Sequence, residues 1–336
     1  MYKKIVAFII ATCLPLVFIL SGCSFLMSFI TGSFNTSYMS PEKYSVGNAL
    51  IEDGSGLSII HIMWVSGSVS VTTHKENSIV ITETANKETT EKDTLHYYYF
   101  DDQEGGILWV QFCESGAQDF GDLKKDVTIV IPEVDGLYCG ATLDSADFTI
   151  VIDGYENTVD KFSLTNNFGS VNARFDEVTT FQASGCGEED SKDCVWAVTA
   201  NRISSFGFNT SYAKMSARIN EIATAEHCGS VFNDFELYVQ SIRKLTVDIG
   251  SRGDQKITAL SFNSISVKNR DGNVRLYLSP DAAFEMTVKG QKRASALEIG
   301  YEYEEAEGKY TVGQSGKTVR IETESNVYVQ PYADNN

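Results

Sequence analysis

Proline is scarce in this chain of 336 residues, with only five in all. None falls between Pro132 and Pro280, so a long central region keeps every backbone donor that a β-ladder needs. Positive charge is also in deficit, with 27 Lys and Arg against 45 Asp and Glu and a net charge of −18. Such a surface repels nucleic acid and anionic lipid, which excludes nucleic acid as a partner. Histidine is limited to His61, His74, His96 and His227, which lie apart without metal-ligand spacing. His227 and Cys228 are neighbours that a strand would point to opposite faces, so a shared metal is not expected. The chain has no Gly-x-Ser-x-Gly elbow, phosphate loop or calcium nonapeptide. Carboxylates are too numerous for Asp147, Asp153 or Asp176 to stand out as an acid/base pair. No catalytic residue, metal or cofactor is expected.

Long apolar runs are absent except at the start. Lys3 and Lys4 precede an apolar stretch from Ile5 to Leu20, and small residues then lead into Cys23, the order of a secretory signal. Apolar residues resume at Phe25, so the combined stretch could alternatively span a bilayer of about 30 Å. Pro15 and the Ser21-Gly22-Cys23-Ser24 break oppose one clean helix. In both readings the lysines hold the N-terminus in the cytoplasm and the bulk of the chain lies outside. Leu20-Ser21-Gly22-Cys23 resembles the lipobox of bacterial lipoproteins. That resemblance implies cleavage after Gly22, a diacylglyceryl group on the Cys23 thiol, and membrane anchoring on the extracytoplasmic face. Loss of Lys3 and Lys4 then leaves 25 basic against 45 acidic residues, a net charge of −20.

Of seven cysteines, Cys13 lies in the signal and Cys23 is the lipid site. The other five are an odd number, so at least one thiol stays free or pairs elsewhere. Cys186 and Cys194 flank a polar loop and are the best candidates for a bridge, which would contribute roughly 2–3 kcal/mol. The acidic loop between them reads as a solvated turn before a cation site.

Residues 23–45 read as a tether, and 46–135 as an N-terminal strand region. There Ile60, Ile62 and Trp64 alternate, Ser66-Gly67-Ser68 turns the chain, and Val69 and Val71 resume. Residues 136–280 carry a repeat. Phe162, Phe181, Phe206, Ala225, Leu245 and Ile265 recur at 19, 25, 19, 20 and 20 residues. Val178, Ile203, Ile222, Ile242 and Phe262 follow the same intervals. Val171, Trp196, Met215 and Phe235 stand seven residues earlier; Gln255 breaks that set, with Ile257 as a substitute. The long interval holds the Cys186–Cys194 loop as an insertion. Units such as Phe-Ser-Leu-Thr and Leu-Thr-Val-Asp alternate like strands. The expected fold is all-β, a parallel β-solenoid with coils of about 19–20 residues, each wrapping roughly 65 Å of perimeter. Additional strands flank it at both ends, with residues 281–332 closing the far end.

The segments Ile60–Val69, Val127–Pro132, Leu276–Phe284 and Gly316–Thr323, with the array between them, resemble the bacterial "putative adhesin" domain of unknown function. The likeness covers roughly residues 45–330. It implies a β-solenoid surface protein and carries over no catalytic or binding residue.

Three functional classes follow. The first is a surface binding module for a surface protein or glycan. Tyr97-Tyr98-Tyr99-Phe100 is its most suggestive stretch, although alternation buries half of it and cross-strand packing can use the rest. Phe168 and Tyr212, at equivalent repeat positions, could form an internal stack or an external ladder. The second class is a structural or envelope-organising lipoprotein. The third is a polysaccharide-active enzyme.

Overall fold

The computed structural model describes residues 34–102, 105–154, 157–186, 194–229, 234–250, 252–292, 295–314 and 316–333. Among them the chain is strand almost throughout, with a single short 3-10 turn at Pro41–Lys43 and no α-helix. The first strands are β1 (Ser45–Val46), β2 (Ala49–Ile51), β3 (Leu57–His74), β4 (Ile79–Ala85), β5 (His96–Asp102), β6 (Gly105–Gln111) and β7 (Lys125–Pro132). The central strands are β8 (Leu137–Ile152), β9 (Thr158–Asn166), β10 (Val171–Cys186), β11 (Val195–Ser211), β12 (Lys214–Gly229), β13 (Asp234–Ile249) and β14 (Gln255–Asn269). The chain ends in β15 (Val274–Leu278), β16 (Phe284–Lys289), β17 (Leu297–Ile299), β18 (Glu304–Ala306), β19 (Lys309–Val312), β20 (Thr318–Glu322) and β21 (Val327–Pro331).

Strands β10 to β14 pair parallel, each with the next, and the repeat intervals are the ladder offsets. Phe181 pairs with Phe162 and Phe206, Ala225 with Phe206 and Leu245, and Leu245 with Ile265. The second set is also in register, from Val178 through Ile203, Ile222 and Ile242 to Phe262. Gln255 holds its place opposite Phe235, and Ile257 pairs with Leu237, so no substitution of position occurs. A buried glutamine is tolerated there because its amide donates to the Gly253 carbonyl at 3.2 Å.

The long central strands keep a continuous ladder with their neighbours over nearly their whole length. In β10 the buried positions are Val171, Ala173 and Phe175, then Val178, then Phe181 and Ala183. Two of these intervals are three residues where strict alternation would give two, so the inward face shifts twice along the strand. Identical positions therefore stack. Phe162, Phe181 and Phe206 form a file with ring centroids 5.0 Å apart at both steps.

The same register runs back past residue 136. β3 pairs parallel with β8, placing Ile60 beside Cys139 and Val69 beside Phe148. Ser66-Gly67-Ser68 is not a turn that ends a strand; β3 is continuous and bends there. Gly67 has a φ of +105°, and a Cβ would lie 2.1 Å from the Lys125 carbonyl oxygen, so only glycine fits the bend.

Both ends change from parallel to antiparallel pairing. At the start, β5 and β1 extend β6, while β4 and β2 extend β7. At the finish, β20 inserts between β14 and β16, and the β18–β19 hairpin lies outermost. Short antiparallel edges of this kind blunt the open ends of a stack.

Candidate binding surface

One outer wall changes character along the stack. Where β5, β6, β3, β8, β9 and β10 run side by side, one outward column reads Phe100, Ile107, Ile59, Tyr138, Lys161, Thr180. Its neighbour reads Tyr98, Trp109, His61, Gly140, Ser163, Gln182. Apolar and aromatic side chains thus occupy the first four strands, and polar ones take over from β9. Along a wall facing water such a patch is unusual.

The rings support one another. His61 stacks on Trp109 at 4.1 Å and leans on Tyr138 at 5.5 Å. Lys161 Nζ sits 5.4 Å from the Tyr138 ring centre, a cation–π contact that closes the patch. On the other side, Tyr98 contacts Phe100 at 6.3 Å and Tyr44 at 5.7 Å, and Tyr44 contacts Tyr38 at 4.4 Å. Gly140 makes room, since a Cβ there would meet His61 Nδ1 at 3.2 Å and Tyr138 at 3.3 Å. Burial pushes the His61 imidazole down to about 4 and the Tyr44 hydroxyl up to about 12. The rings are therefore uncharged at neutral pH. Only His61 and Trp109 are stacked face to face; the contacts of Tyr38, Tyr44 and Tyr138 are tilted, and Tyr98 and Phe100 are near-parallel but 6.3 Å apart. Phe100, at 44% exposure, is the most open aromatic of the two columns.

The alternation expected for Tyr97 to Phe100 holds: Tyr97 and Tyr99 pack toward the core, while Tyr98 and Phe100 face outward. The partnership with Trp109, His61 and Tyr138 had no signal in sequence, because it joins four strands between Tyr98 and Tyr138. Phe168 is exposed, which rules out an internal stack with Tyr212. Cys23 lies outside the described residues, as does the Cys186 side chain. Cys194 is a buried thiol whose sulfur donates to the Gly169 carbonyl at 3.2 Å and accepts from the Trp196 indole at 3.3 Å. Asp153 pairs with Arg174, and Asp147 accepts the Ser170 amide at 2.9 Å. Asp126 and Asp147 flank a shallow cleft of about 470 Å³, and Ser68 Oγ donates to Asp126 at 2.7 Å. No group of three or more metal-type side chains gathers among the described residues.

His227 is a buried group that the repeat register places but composition hides. It pairs with Phe208 and Val247, and its ring lies 4.6 Å from Phe235 and 5.2 Å from Phe208. Burial outweighs the Phe208 backbone contact and pushes its imidazole down to about 4. The unfolded chain, with histidine near 6.5, takes up this proton first. Stability is therefore intact above pH 6.5 and falls as pH drops from there toward 4, by up to about 3 kcal/mol from this residue. His227→Leu should remove that share of the loss, read from urea unfolding at pH 7 and pH 4. Equal losses in both proteins would contradict the assignment.

Three solved bacterial structures are similar to the chain at low identity. A putative cell adhesion protein from Clostridium sporogenes is 10% identical, with 86% of this chain and 99% of that one covered at a TM-score of 0.25. A putative adhesin from Parabacteroides merdae is 11% identical, with 85% and 96% covered at a TM-score of 0.45. A putative lipid binding protein from Parabacteroides distasonis is 10% identical, with 85% and 96% covered at 0.39. No protein-family description matches the chain. No curated protein is significantly similar to it. Likeness at this level transfers no residue role.

Proposed function

We propose that the protein is a lipid-anchored parallel β-solenoid on the extracytoplasmic face of the membrane. Its work is binding, without catalysis, through the patch around Trp109 and His61, and its partner is another surface protein. The observation that carries this reading is the switch from apolar to polar residues along two outward columns of one wall. The solenoid part is supported by ladder offsets that equal the sequence repeat at every step from β10 to β14. A protein partner suits the patch better than a glycan, because Ile59, Ile107 and Phe100 put apolar surface beside the rings, and apolar side chains cannot bind sugar hydroxyls. Trp and Tyr beside Ile and Phe are common centres of protein interfaces.

Phe100→Asp in the full-length chain should reduce cross-linked capture of a partner from native envelopes at least tenfold, a loss of about 1.4 kcal/mol or more. Its thermal unfolding should be unchanged, since Phe100 is exposed. Equal capture by both proteins would overturn the patch as contact surface. Anchoring has its own measurement. Intact mass should show loss of residues 1–22 and a diacylglyceryl addition; a chain that retains them without lipid would contradict the anchor. A thiol titration of the unfolded, unreduced protein should find the Cys194 thiol free, in keeping with its hydrogen bond to the Gly169 carbonyl; a Cys186–Cys194 bridge in the peptide map would contradict this.

A further inference from the structure

The anchoring reading leaves open how the rod stands on its membrane. We infer that the rim formed by β1, β2 and the segment before them rests on the lipid surface, with Met39, Val46 and Leu50 as its apolar contacts. This inference rests on the lipid anchor proposed above. Met39 at 88% and Leu50 at 64% are the two most exposed large hydrophobic residues among those described, and Val46 on β1 is also exposed at 39%. All three lie on the outermost strands of the antiparallel end or just before them. Nothing in the described chain covers them.

The position of the chain says what does. The described structure starts at Phe34, eleven residues after Cys23, a leash that spans at most about 40 Å when fully extended. The outermost strand at the opposite end, β18, is separated from β1 by a continuous chain of strand pairings, about 65 Å at ordinary strand spacing. The leash therefore holds the β1–β2 rim, rather than the β18–β19 end, against the bilayer. The net charge of −20 that remains after cleavage, 25 basic against 45 acidic residues, gives no attraction to anionic headgroups, so the contact is apolar and insensitive to salt. The lipid supplies retention, and the rim sets orientation. It leaves the patch around Trp109 facing sideways, level with neighbours on the same membrane.

The test uses the full-length chain as isolated, reconstituted into phosphatidylcholine vesicles with brominated acyl chains. Met39→Trp and Leu50→Trp are compared with Tyr303→Trp at the far end, where the native residue is 46% exposed. Tryptophan fluorescence at the first two positions should be quenched at least twofold more than at residue 303, equally in low salt and in 1 M salt. Equal quenching at all three positions, in a chain that floats with the vesicles, overturns the rim contact and leaves the anchor standing. A chain that does not float overturns the anchor, and the rim contact with it.

Discussion

Lys125→Met should cost the fold about 3–5 kcal/mol, the range for removing one partner of a buried ion pair. Lys125 is fully buried, and its Nζ lies 2.7 Å from Glu83 Oε1, which is itself 7% exposed. The ammonium also donates to the Asp93 carbonyl at 2.6 Å and to the Phe112 carbonyl. It sits 4.2 Å from the Phe112 ring centre and 5.2 Å from that of Trp64. One side chain thus ties β7 to β4 and to the two connections before β5 and after β6. Burial pushes its pKa down, and the neighbouring Glu83 carboxylate opposes that shift. Methionine would keep the packing volume but leave Glu83 charged and alone. Adding Glu83→Gln should recover part of the loss, because a neutral amide can still accept from the Leu95 amide, now 2.8 Å from the carboxylate. Equilibrium urea unfolding measures both, with amide exchange in β4 and β7 showing where the loss falls. A single variant as stable as the parent would refute the tie.

Phe181→Ala should cost a similar 3–5 kcal/mol, through an unfilled cavity instead of an orphaned charge. Phe181 is fully buried in the centre of the aromatic file and touches Phe162, Phe206 and Phe175. A rigid ladder above and below leaves the site little freedom to collapse. In a stack bound only through nearest neighbours, the loss should appear first as faster amide exchange in β9, β10 and β11, with β13 and β14 still protected. Uniform loss of protection from β8 to β14 would show that the strands unfold as one block.

Much of the interior was legible because repetition makes position visible. Phe162, Phe181 and Phe206 announce a file whose later members, Ala225 and Leu245, would say little alone. Gln255 shows the limit of that logic: position is held by the ladder, and a polar residue keeps its place when a carbonyl is at hand. The ends were hidden for a different reason. β3 finds β8 across more than seventy residues, and β20 enters between β14 and β16 out of chain order, so no local period betrays either. Lys125 is equally silent, since beside Lys124 it reads as a solvated charge. The outer patch was half visible. Tyr98 and Phe100 follow from alternation, but Trp109, His61 and Tyr138 join them only through three pairings.

Strands twenty residues apart lie side by side, parallel and in register, and the fold rests on that pairing. Ser241 and Ser261 are exposed Cα partners on β13 and β14, whereas Ser264 is the partner of Lys244. The Ser241→Cys/Ser261→Cys protein should form its cross-link quickly on mild oxidation, because neighbouring strands at about 4.8 Å fall within disulfide reach. Peptide mapping should show the 241–261 bridge, with Ser241→Cys/Ser264→Cys far slower. A shifted pair that closes as fast, or an in-register pair that never closes, would contradict the winding.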